Sequence, residues 1–164
     1  LLRPENSGMR CAMRDMIKDS ALVLAEKIRR GETKIVEVLD AVYESEKQNK
    51  ELNCFITLCR ERAYSKGSEI QKRIDAGEYI SPLAGVPIGI KDNIAVKDVK
   101  MTCGSRMLEN YVPPVSAAAV EKLEKAGFII VGKLNMDEFA MGSTGETSYY
   151  GAVLNPVDKN NKTK

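Results

Sequence analysis

Apolar residues recur every three to four positions in the first half of the chain, which is the spacing of one helix face. In the stretch SALVLAEKIRRG the apolar positions are Leu24, Ala25 and Ile28, with Ser20 before them and Gly31 after them. A serine at this place accepts a hydrogen bond from a free N–H of the first helical turn, and glycine readily ends a helix. The pattern therefore predicts a helix that is capped by Ser20 and stops at Gly31.

Two further helices are predicted in the first half of the chain. The stretch RERAYSKGSEIQKRIDAG is mostly polar and closes at Gly77, as expected of a helix that faces solvent on most sides. The stretch TKIVEVLDAVYESEKQNK offers Thr33 as its N-cap and has an apolar stripe of Ile35, Val38, Leu39 and Val42.

Three short runs that are rich in β-branched residues are predicted strands: NCFITL, VPIGIK and FIIVGK. Between the last two runs, VSAAAVEKLEKAG predicts a helix that is capped near Ser116, buries Val120 and Leu123, and ends at Gly127. Strand, helix and strand from residue 86 to residue 132 form a predicted βαβ unit. The expected fold class is therefore α/β behind a helical N-terminal layer.

The stretch after the last predicted strand, NMDEFAMG, predicts a short helix. Asn135 is its candidate N-cap, and Asp137 and Glu138 lie in the first turn, where carboxylates interact favourably with the helix dipole. The residues that follow, STGETSYYGAVLNPVDKNNKTK, are expected to be irregular and become more polar towards the end.

Composition narrows the classes of protein that need to be considered. The 164 residues are 43% hydrophobic and 29% charged, with a net charge of +2, which is typical of one globular domain and too weak to indicate nucleic-acid binding. No apolar run is long enough for a membrane-spanning helix, so no membrane partner is expected. Residues 1–14 lack the apolar core of a signal peptide and are expected to be a disordered or upstream extension.

The chain contains four cysteines and no histidine. None of the cysteines forms a C-x-x-C pair, so no zinc site and no other metal site is expected, and reduced structural thiols point to the cytoplasm. The absence of histidine excludes a Ser-His-Asp or Cys-His mechanism within these residues. Any general base here must be a carboxylate, a lysine or a tyrosine.

Lys91 ends the apolar run VPIGIK and is followed directly by Asp92 and Asn93. One interpretation is a strand-end lysine whose amine reaches water. The other is a lysine placed in a partly closed apolar site, where it can take a proton from a hydroxyl group. Side chains alternate along a strand, so Asp92 should face away from Lys91 and leave its amine free of an ion pair.

The stretch EFAMGSTGETS contains four hydroxyl residues and two glycines. It is either a flexible surface loop or a loop whose backbone N–H groups and hydroxyls meet a substrate carbonyl. The candidate residues for substrate binding or for an oxyanion site are Met141, Gly142 and Ser143. Cys103, in the turn TCGS, has no activating neighbour in sequence and is not expected to be a nucleophile.

Several blocks of the second half occur together and in order: PLAGVPIGIKDNI, TCGSRMLENYVPP, AAAVEKLEKAGFIIVGKLNMDEFAMGS and YGAVLNPVD. These blocks resemble the amidase signature family, and NMDEFAMGS resembles in particular its branch of glutamyl-tRNA(Gln) amidotransferase A subunits. The resemblance extends from about residue 15 to residue 158. It implies an α/β/α core with a mixed sheet flanked by helices.

The resemblance also implies a function. Family members hydrolyse amides with a Ser–Ser–Lys triad, and the lysine of the IKDN motif corresponds to Lys91. In the tRNA-dependent branch the substrate is glutamine, and the released ammonia passes to a B subunit that uses ATP and magnesium to activate the glutamyl end of Glu-tRNA(Gln). A small C subunit joins the two larger ones, and the amidase subunit itself carries no cofactor.

One feature of the family is missing from this sequence. Family members carry both catalytic serines in or after a Gly-Gly-Ser-Ser-Gly-Gly-Ser stretch, and none of the ten serines here has that context. The expectation is therefore that residues 15–164 are the N-terminal part of a single amidase domain and are inactive alone. This part comprises a helical layer, 15–77, and the start of the α/β core, 82–164.

Two alternatives remain open at the level of sequence. The first is a fragment of a general amidase that acts on another amide, for which NMDEFAMGS is an unusual variant. The second is a non-catalytic module whose helical N-terminal layer packs against a partner chain.

Overall fold

A computed structural model describes residues 18–157 of the chain. The predicted extension at residues 1–14 lies outside this range. Within residues 18–157, four α-helices and three strands follow one another in the order α1, α2, β1, α3, β2, α4 and β3, and three short 3-10 turns are also present. The bounds are α1 Ala21–Arg29, α2 Ile35–Gln48, β1 Phe55–Leu58, α3 Arg60–Asp75, β2 Pro87–Lys91, α4 Ala118–Lys125 and β3 Ile129–Leu134, with 3-10 turns at Lys50–Leu52, Arg106–Leu108 and Glu138–Ala140.

The three strands form one mixed sheet in the order β1-β3-β2. Strand β2 runs parallel to β3, and α4 connects them, so the predicted βαβ unit is confirmed. Strand β1 pairs antiparallel with β3 on its other side. The last strand of the described residues is therefore the central strand of the sheet.

Strand β3 is buried on both faces, and alternate residues enter two different cores. Ile129 and Val131 pack in the larger core against α1, α2 and α3. Ile130 packs in the smaller core with Ile90 of β2 and Val120 of α4. In the part of the chain that the structure describes, the result is three layers, with three helices on one face of the sheet and one helix on the other. This arrangement confirms the expected α/β class.

Gly132 allows β1 to approach the central strand closely. A Cβ atom at this position would lie 2.7 Å from the ring of Phe55 and 2.7 Å from the carbonyl oxygen of Thr57. The register of the two strands shifts between Phe55 and Thr57, which is where this close approach occurs. A glycine here marks a site where a neighbouring backbone leaves no room for a side chain.

The predicted caps were only partly correct. Ser20 accepts the N–H of Val23, as predicted. Thr33 is not the N-cap of α2, because Lys34 occupies that position and the Thr33 hydroxyl donates to the Glu37 carboxylate at 3.0 Å. That carboxylate also accepts the N–H of Lys34 at 2.9 Å, so an acidic side chain within the helix satisfies its free end.

The predictions of a cap near Ser116 and of a short helix after β3 were wrong. Helix α4 has Ala117 as its N-cap, and the Ser116 hydroxyl instead accepts the N–H of Lys97 at 2.9 Å. The stretch after Asn135 forms only the 3-10 turn Glu138–Ala140. Val120 is fully buried as predicted, whereas Leu123 is partly buried. Within residues 18–157, no helix has the length and apolar character needed to cross a membrane.

Two valines of α2 provide a matched test of the larger core. Val38 is fully buried and Val36 is 48% exposed. We expect Val38→Ala to lower the free energy of unfolding by about 2 kcal/mol, because it removes buried methyl groups and leaves a cavity. Val36→Ala deletes the same atoms from the same helix and should change it by less than about 0.5 kcal/mol. Urea denaturation measures both, and equal losses would contradict the assigned helix face.

Candidate active site at the carboxyl ends of the parallel strands

Lys91 is the last residue of β2, and its side chain is exposed. Asp92 is fully buried and faces the other way, as predicted from strand alternation. The N–H of Asp92 donates to the carbonyl oxygen of Leu134 at 3.1 Å, so the strand pairing continues one residue beyond β2. Lys91 thus carries an amine on the solvent side of a firmly paired strand end. Its catalytic role stays a prediction.

The buried lysine of this region is Lys133 in β3, which the sequence analysis did not single out. Its side chain is fully buried, and its ammonium nitrogen Nζ lies 3.2 Å from Oδ1 of Asp92. Nζ also donates to the carbonyl oxygen of Lys100 at 3.5 Å. A signal was present in the sequence, because Lys133 continues the apolar run of a buried strand and so requires a partner of opposite charge.

The Asp92 carboxylate joins the end of β2 to the loop that follows it. Its Oδ2 atom accepts the N–H of Thr102 at 2.8 Å and the Thr102 hydroxyl at 2.5 Å. Its Oδ1 atom has the Lys133 ammonium as ionic partner and accepts no hydrogen bond of good geometry within residues 18–157. Breaking a buried pair of this kind by removing one partner is strongly destabilising.

The turn that starts at Thr102 is bonded to the loop after β3. The Cys103 carbonyl oxygen accepts the N–H of Phe139 at 2.8 Å, and the Gly104 carbonyl oxygen accepts the N–H of Tyr149 at 2.8 Å. The Gly104 N–H donates to the Thr102 hydroxyl oxygen at 3.2 Å. The loops that follow two parallel strands therefore form one bonded unit at the carboxyl edge of the sheet, which is where open α/β sheets bind their ligands.

Gly104 is required for this arrangement. Its φ angle is +69°, and a Cβ atom would lie 2.6 Å from the Met136 carbonyl oxygen. Any other residue would therefore combine an unfavourable left-handed conformation with a backbone clash.

Asp137 fastens the loop that contains the predicted substrate-binding residues. Its Oδ2 atom accepts the N–H of Gly145 at 2.8 Å, and its Oδ1 atom accepts both the N–H and the hydroxyl of Thr147 at 2.9 Å. The backbone N–H groups of Thr147 and Gly145 bind the charged carboxylate and lower the pKa of Asp137 to about 2. A Cβ atom at Gly142 would lie 2.5 Å from Cγ of Asp137, so the loop is closed tightly around this side chain.

Met141, Gly142 and Ser143 all lie on the surface of this loop, and the Met141 side chain is 83% exposed. The Met141 N–H already donates to the Glu138 carbonyl oxygen at 3.0 Å, which leaves Gly142 and Ser143 as the predicted N–H donors to a substrate. Their role in binding stays a prediction.

The two residues before Met141 have an unusual backbone. Phe139 and Ala140 have φ angles of +52° and +60°. L-residues adopt this left-handed conformation only at a cost. Phe139, one of these two residues, is also 45% exposed.

Cys103 lies in the turn that starts at Thr102 and has no activating environment. Burial raises the pKa of its thiol, and the Asp92 carboxylate raises it further, while the Lys133 ammonium opposes them. A thiol with a raised pKa is a poor nucleophile at neutral pH, in agreement with the expectation from sequence. Among residues 18–157 there is no group of three or more histidine, cysteine, aspartate or glutamate side chains that could hold a metal ion.

A cleft of about 480 Å³ lies between α2, the turn Lys50–Leu52 and Phe55 at the start of β1. None of the predicted site residues lines it. Lys91, Met141, Gly142 and Ser143 are instead all exposed on the surface.

Comparison with known proteins gives consistent matches. The family model described as Amidase matches residues 37–163. The A subunit of the glutamyl-tRNA(Gln) amidotransferase from Lachnoclostridium phytofermentans is 47% identical over 144 residues, and its counterpart from Lachnospira eligens is 49% identical over 138 residues. These alignments cover 87% and 84% of this chain but only 29% of each relative. The chain thus spans less than a third of the length of these curated relatives.

Solved structures show the same relationship. A chain from a vestigial protein complex connected with the origins of an s-triazine catabolic enzyme superposes with a TM-score of 0.81 at 32% identity, over 85% of this chain and 31% of that one. A crystal structure of an amidase gives a TM-score of 0.77 at 30% identity, over 85% and 32% of the two chains. A 6-aminohexanoate cyclic dimer hydrolase gives 0.75 at 27% identity, over 84% and 28%.

The hydrogen bonds from Gly145 and Thr147 to the Asp137 carboxylate, here called the Asp137 clamp, should depend on pH. The carboxyl of Asp137 should titrate at about pH 2, below its ordinary value of 3.8, because its donors favour the charged form. The stabilisation of the loop is therefore complete above the unfolded pKa and is lost as the pH falls through the folded value. Carbon NMR of the side-chain carboxyl measures the midpoint.

Thr147→Val serves as the comparison for this titration, because it removes the hydroxyl donor and keeps the N–H donor. We expect a small rise in the pKa of Asp137 in this variant. A midpoint at the ordinary value in the unsubstituted chain would show that the clamp does not form.

Proposed function

Because this chain belongs to the amidase signature family, we propose that the complete gene product hydrolyses the side-chain amide of glutamine as the A subunit of a tRNA-dependent amidotransferase. The observation that carries the proposal is the identity of 47% and 49% to relatives that are named as the A subunits of glutamyl-tRNA(Gln) amidotransferases. The solved amidase and the chain of the vestigial complex are less similar, at 30% and 32%. Because the chain spans only part of these relatives, the activity is proposed for the complete gene product.

Lys91 is the residue of this chain that we propose to be catalytic. Its amine takes a proton, through a bridging serine, from a second serine, whose oxygen attacks the carbonyl carbon of the glutamine amide. The C–N bond breaks, ammonia leaves with the proton, and a glutamyl ester remains on the serine. Water then hydrolyses the ester and releases glutamate. The exposed position of Lys91 at the strand end supports this role, because the amine is open to groups that pack over the sheet edge.

The two serines of the triad belong, in this proposal, to a part of the gene product beyond the 164 residues. None of the serines in the sequence has the Gly-Gly-Ser-Ser-Gly-Gly-Ser context of the family. A polypeptide of these residues alone is therefore expected to have no measurable amidase turnover. The loop residues Gly142 and Ser143 are proposed to bind the substrate carbonyl through their N–H groups.

The proposed partners follow from the same assignment. The ammonia passes to a B subunit that binds ATP and Mg²⁺ and activates the glutamyl group of Glu-tRNA(Gln), and a C subunit holds the two larger subunits together. This chain itself is proposed to hold no cofactor. Such a complex acts on charged tRNA, so the proposed location is the cytoplasm.

A general amidase is the second candidate function. The match to a solved amidase at 30% identity and to a cyclic dimer hydrolase at 27% identity favours it, since both superpose well on this fold. The two candidates share Lys91 and differ in substrate and in the need for partner subunits. A non-catalytic partner-binding module is the third, and it predicts that Lys91 is dispensable.

The first test replaces the proposed catalytic amine in the complete gene product. Lys91→Met should reduce glutamine hydrolysis by about 10³-fold or more, as expected when one member of a catalytic triad is removed. Lys97→Met is the matched control, because Lys97 is also an exposed lysine of the segment after β2. Release of ammonia from glutamine measures both variants.

Full activity of Lys91→Met would exclude the catalytic proposal and leave the partner-binding module. Loss of activity on simple amides, with no hydrolysis of glutamine by the unsubstituted protein, would favour the general amidase.

The second test concerns the partners. The complete gene product should co-purify with B and C subunits, and only the complex should form Gln-tRNA(Gln) from Glu-tRNA(Gln), glutamine and ATP. Lys91→Met in the complex should abolish this reaction with glutamine and preserve it with added ammonium chloride, because free ammonia bypasses the amidase step. An equal loss with both nitrogen donors would argue against the assignment to the amidase subunit of such a complex.

A further inference from the structure

Asp92 joins two separate segments at the end of β2, namely the end of β3 and the turn that starts at Thr102. Its backbone N–H donates to Leu134 of β3, one carboxylate oxygen faces the ammonium of Lys133, and the other accepts two hydrogen bonds from Thr102. Both segments are held by the residue that directly follows Lys91. The direction in which the Lys91 side chain leaves the sheet is therefore set by how Asp92 is held.

Stability alone does not account for a buried charge pair at this place. Both side chains are fully buried, so two charges have lost their hydration. Apolar residues of similar volume often stabilise a core as well or better than such a pair. The carboxylate instead fixes the relative orientation of its partners, because one oxygen faces the Lys133 ammonium and the other accepts two hydrogen bonds from Thr102.

We propose that Asp92, with its partners Thr102 and Lys133, is a positioning residue that sets the geometry between Lys91 and the loop of Gly142 and Ser143. This inference rests on the proposed amidase function. The carboxylate holds the strand end that carries the amine, and it also holds the turn on which the substrate loop is mounted.

The connection from Asp92 to the substrate loop is a continuous series of hydrogen bonds. The Thr102 hydroxyl donates to Asp92 and accepts the N–H of Gly104. The carbonyl oxygens of Cys103 and Gly104 then accept the N–H groups of Phe139 and Tyr149, which lie on the two sides of the loop. A shift of Thr102 relative to Asp92 changes the distance between the catalytic amine and the substrate donors.

Thr102 is the better position for the test, because Asp92→Asn leaves the buried Lys133 ammonium without a counter-charge and risks unfolding the chain. Thr102→Val keeps the shape of the side chain and removes the hydroxyl that bonds Asp92 and Gly104. Thr102→Ser keeps this hydroxyl. Tyr43→Phe removes another buried hydroxyl, which donates to Val131 of the same β3 at 3.1 Å but lies outside the strand-end network.

The experiment measures kcat and KM for glutamine in the complete gene product, together with the midpoint of urea denaturation for each variant. We expect Thr102→Val to lower kcat by about 10-fold to 100-fold with little change in KM, because a small displacement of a catalytic group has this effect. Thr102→Ser should recover most of the loss. Tyr43→Phe should lower the denaturation midpoint and leave kcat close to that of the unsubstituted protein.

Two outcomes overturn the inference, and they differ from each other. If Lys91→Met is inactive and Thr102→Val retains the kcat of Tyr43→Phe, Asp92 has only a structural role and the proposed function stands. If Lys91→Met is as active as the unsubstituted protein, the proposed function fails, and the positioning role fails with it.

Discussion

Burial of β3 on both faces is the constraint on which the rest of this structure depends. It requires helices on each side of the sheet, and the alternation of Ile129, Ile130 and Val131 between two cores shows how the strand meets this requirement. The same constraint makes the burial of Lys133 costly in free energy, because a charged amine within such a strand has no access to water. The Asp92 carboxylate offsets this cost by pairing with the Lys133 ammonium. Because side chains alternate along a strand, a buried Asp92 leaves Lys91 on the exposed side.

The elements with strong periodicity could be predicted from the sequence, and the local details decided by distant partners could not. The apolar stripes of α1 and α2 and the β-branched runs of β2 and β3 were located correctly because burial dominates their formation. Ser116 failed as a cap because Lys97, which is remote in sequence, competes for its hydroxyl. The helix expected after Asn135 is absent because the Asp137 carboxylate binds Gly145 and Thr147 instead of the first turn.

For the candidate site, sequence reasoning pointed to Lys91, whose catalytic role stays a prediction, and did not single out Lys133 or Thr102. Lys91 is visible because it ends an apolar run, whereas its importance rests on the family resemblance. Lys133 and Thr102 are ordinary in sequence, and they become significant only when the parallel pairing of β2 and β3 brings their segments together. The two loops bring the exposed amine of Lys91 together with Phe139 and Ala140, whose backbone is strained. This combination is expected of a site that other groups complete.

The position of β3 in the sequence has a consequence for synthesis on the ribosome. Both neighbours of the central strand, β1 and β2, are made before it, and they do not pair with each other. Until β3 emerges, α1, α2 and α3 have no sheet to cover, and their apolar stripes are exposed during elongation. Pairings that are distant in sequence form slowly because the intervening chain must be ordered first. The nascent polypeptide therefore exposes apolar helix faces until β3 inserts between β1 and β2, and transiently exposed surfaces of this kind are prone to aggregation.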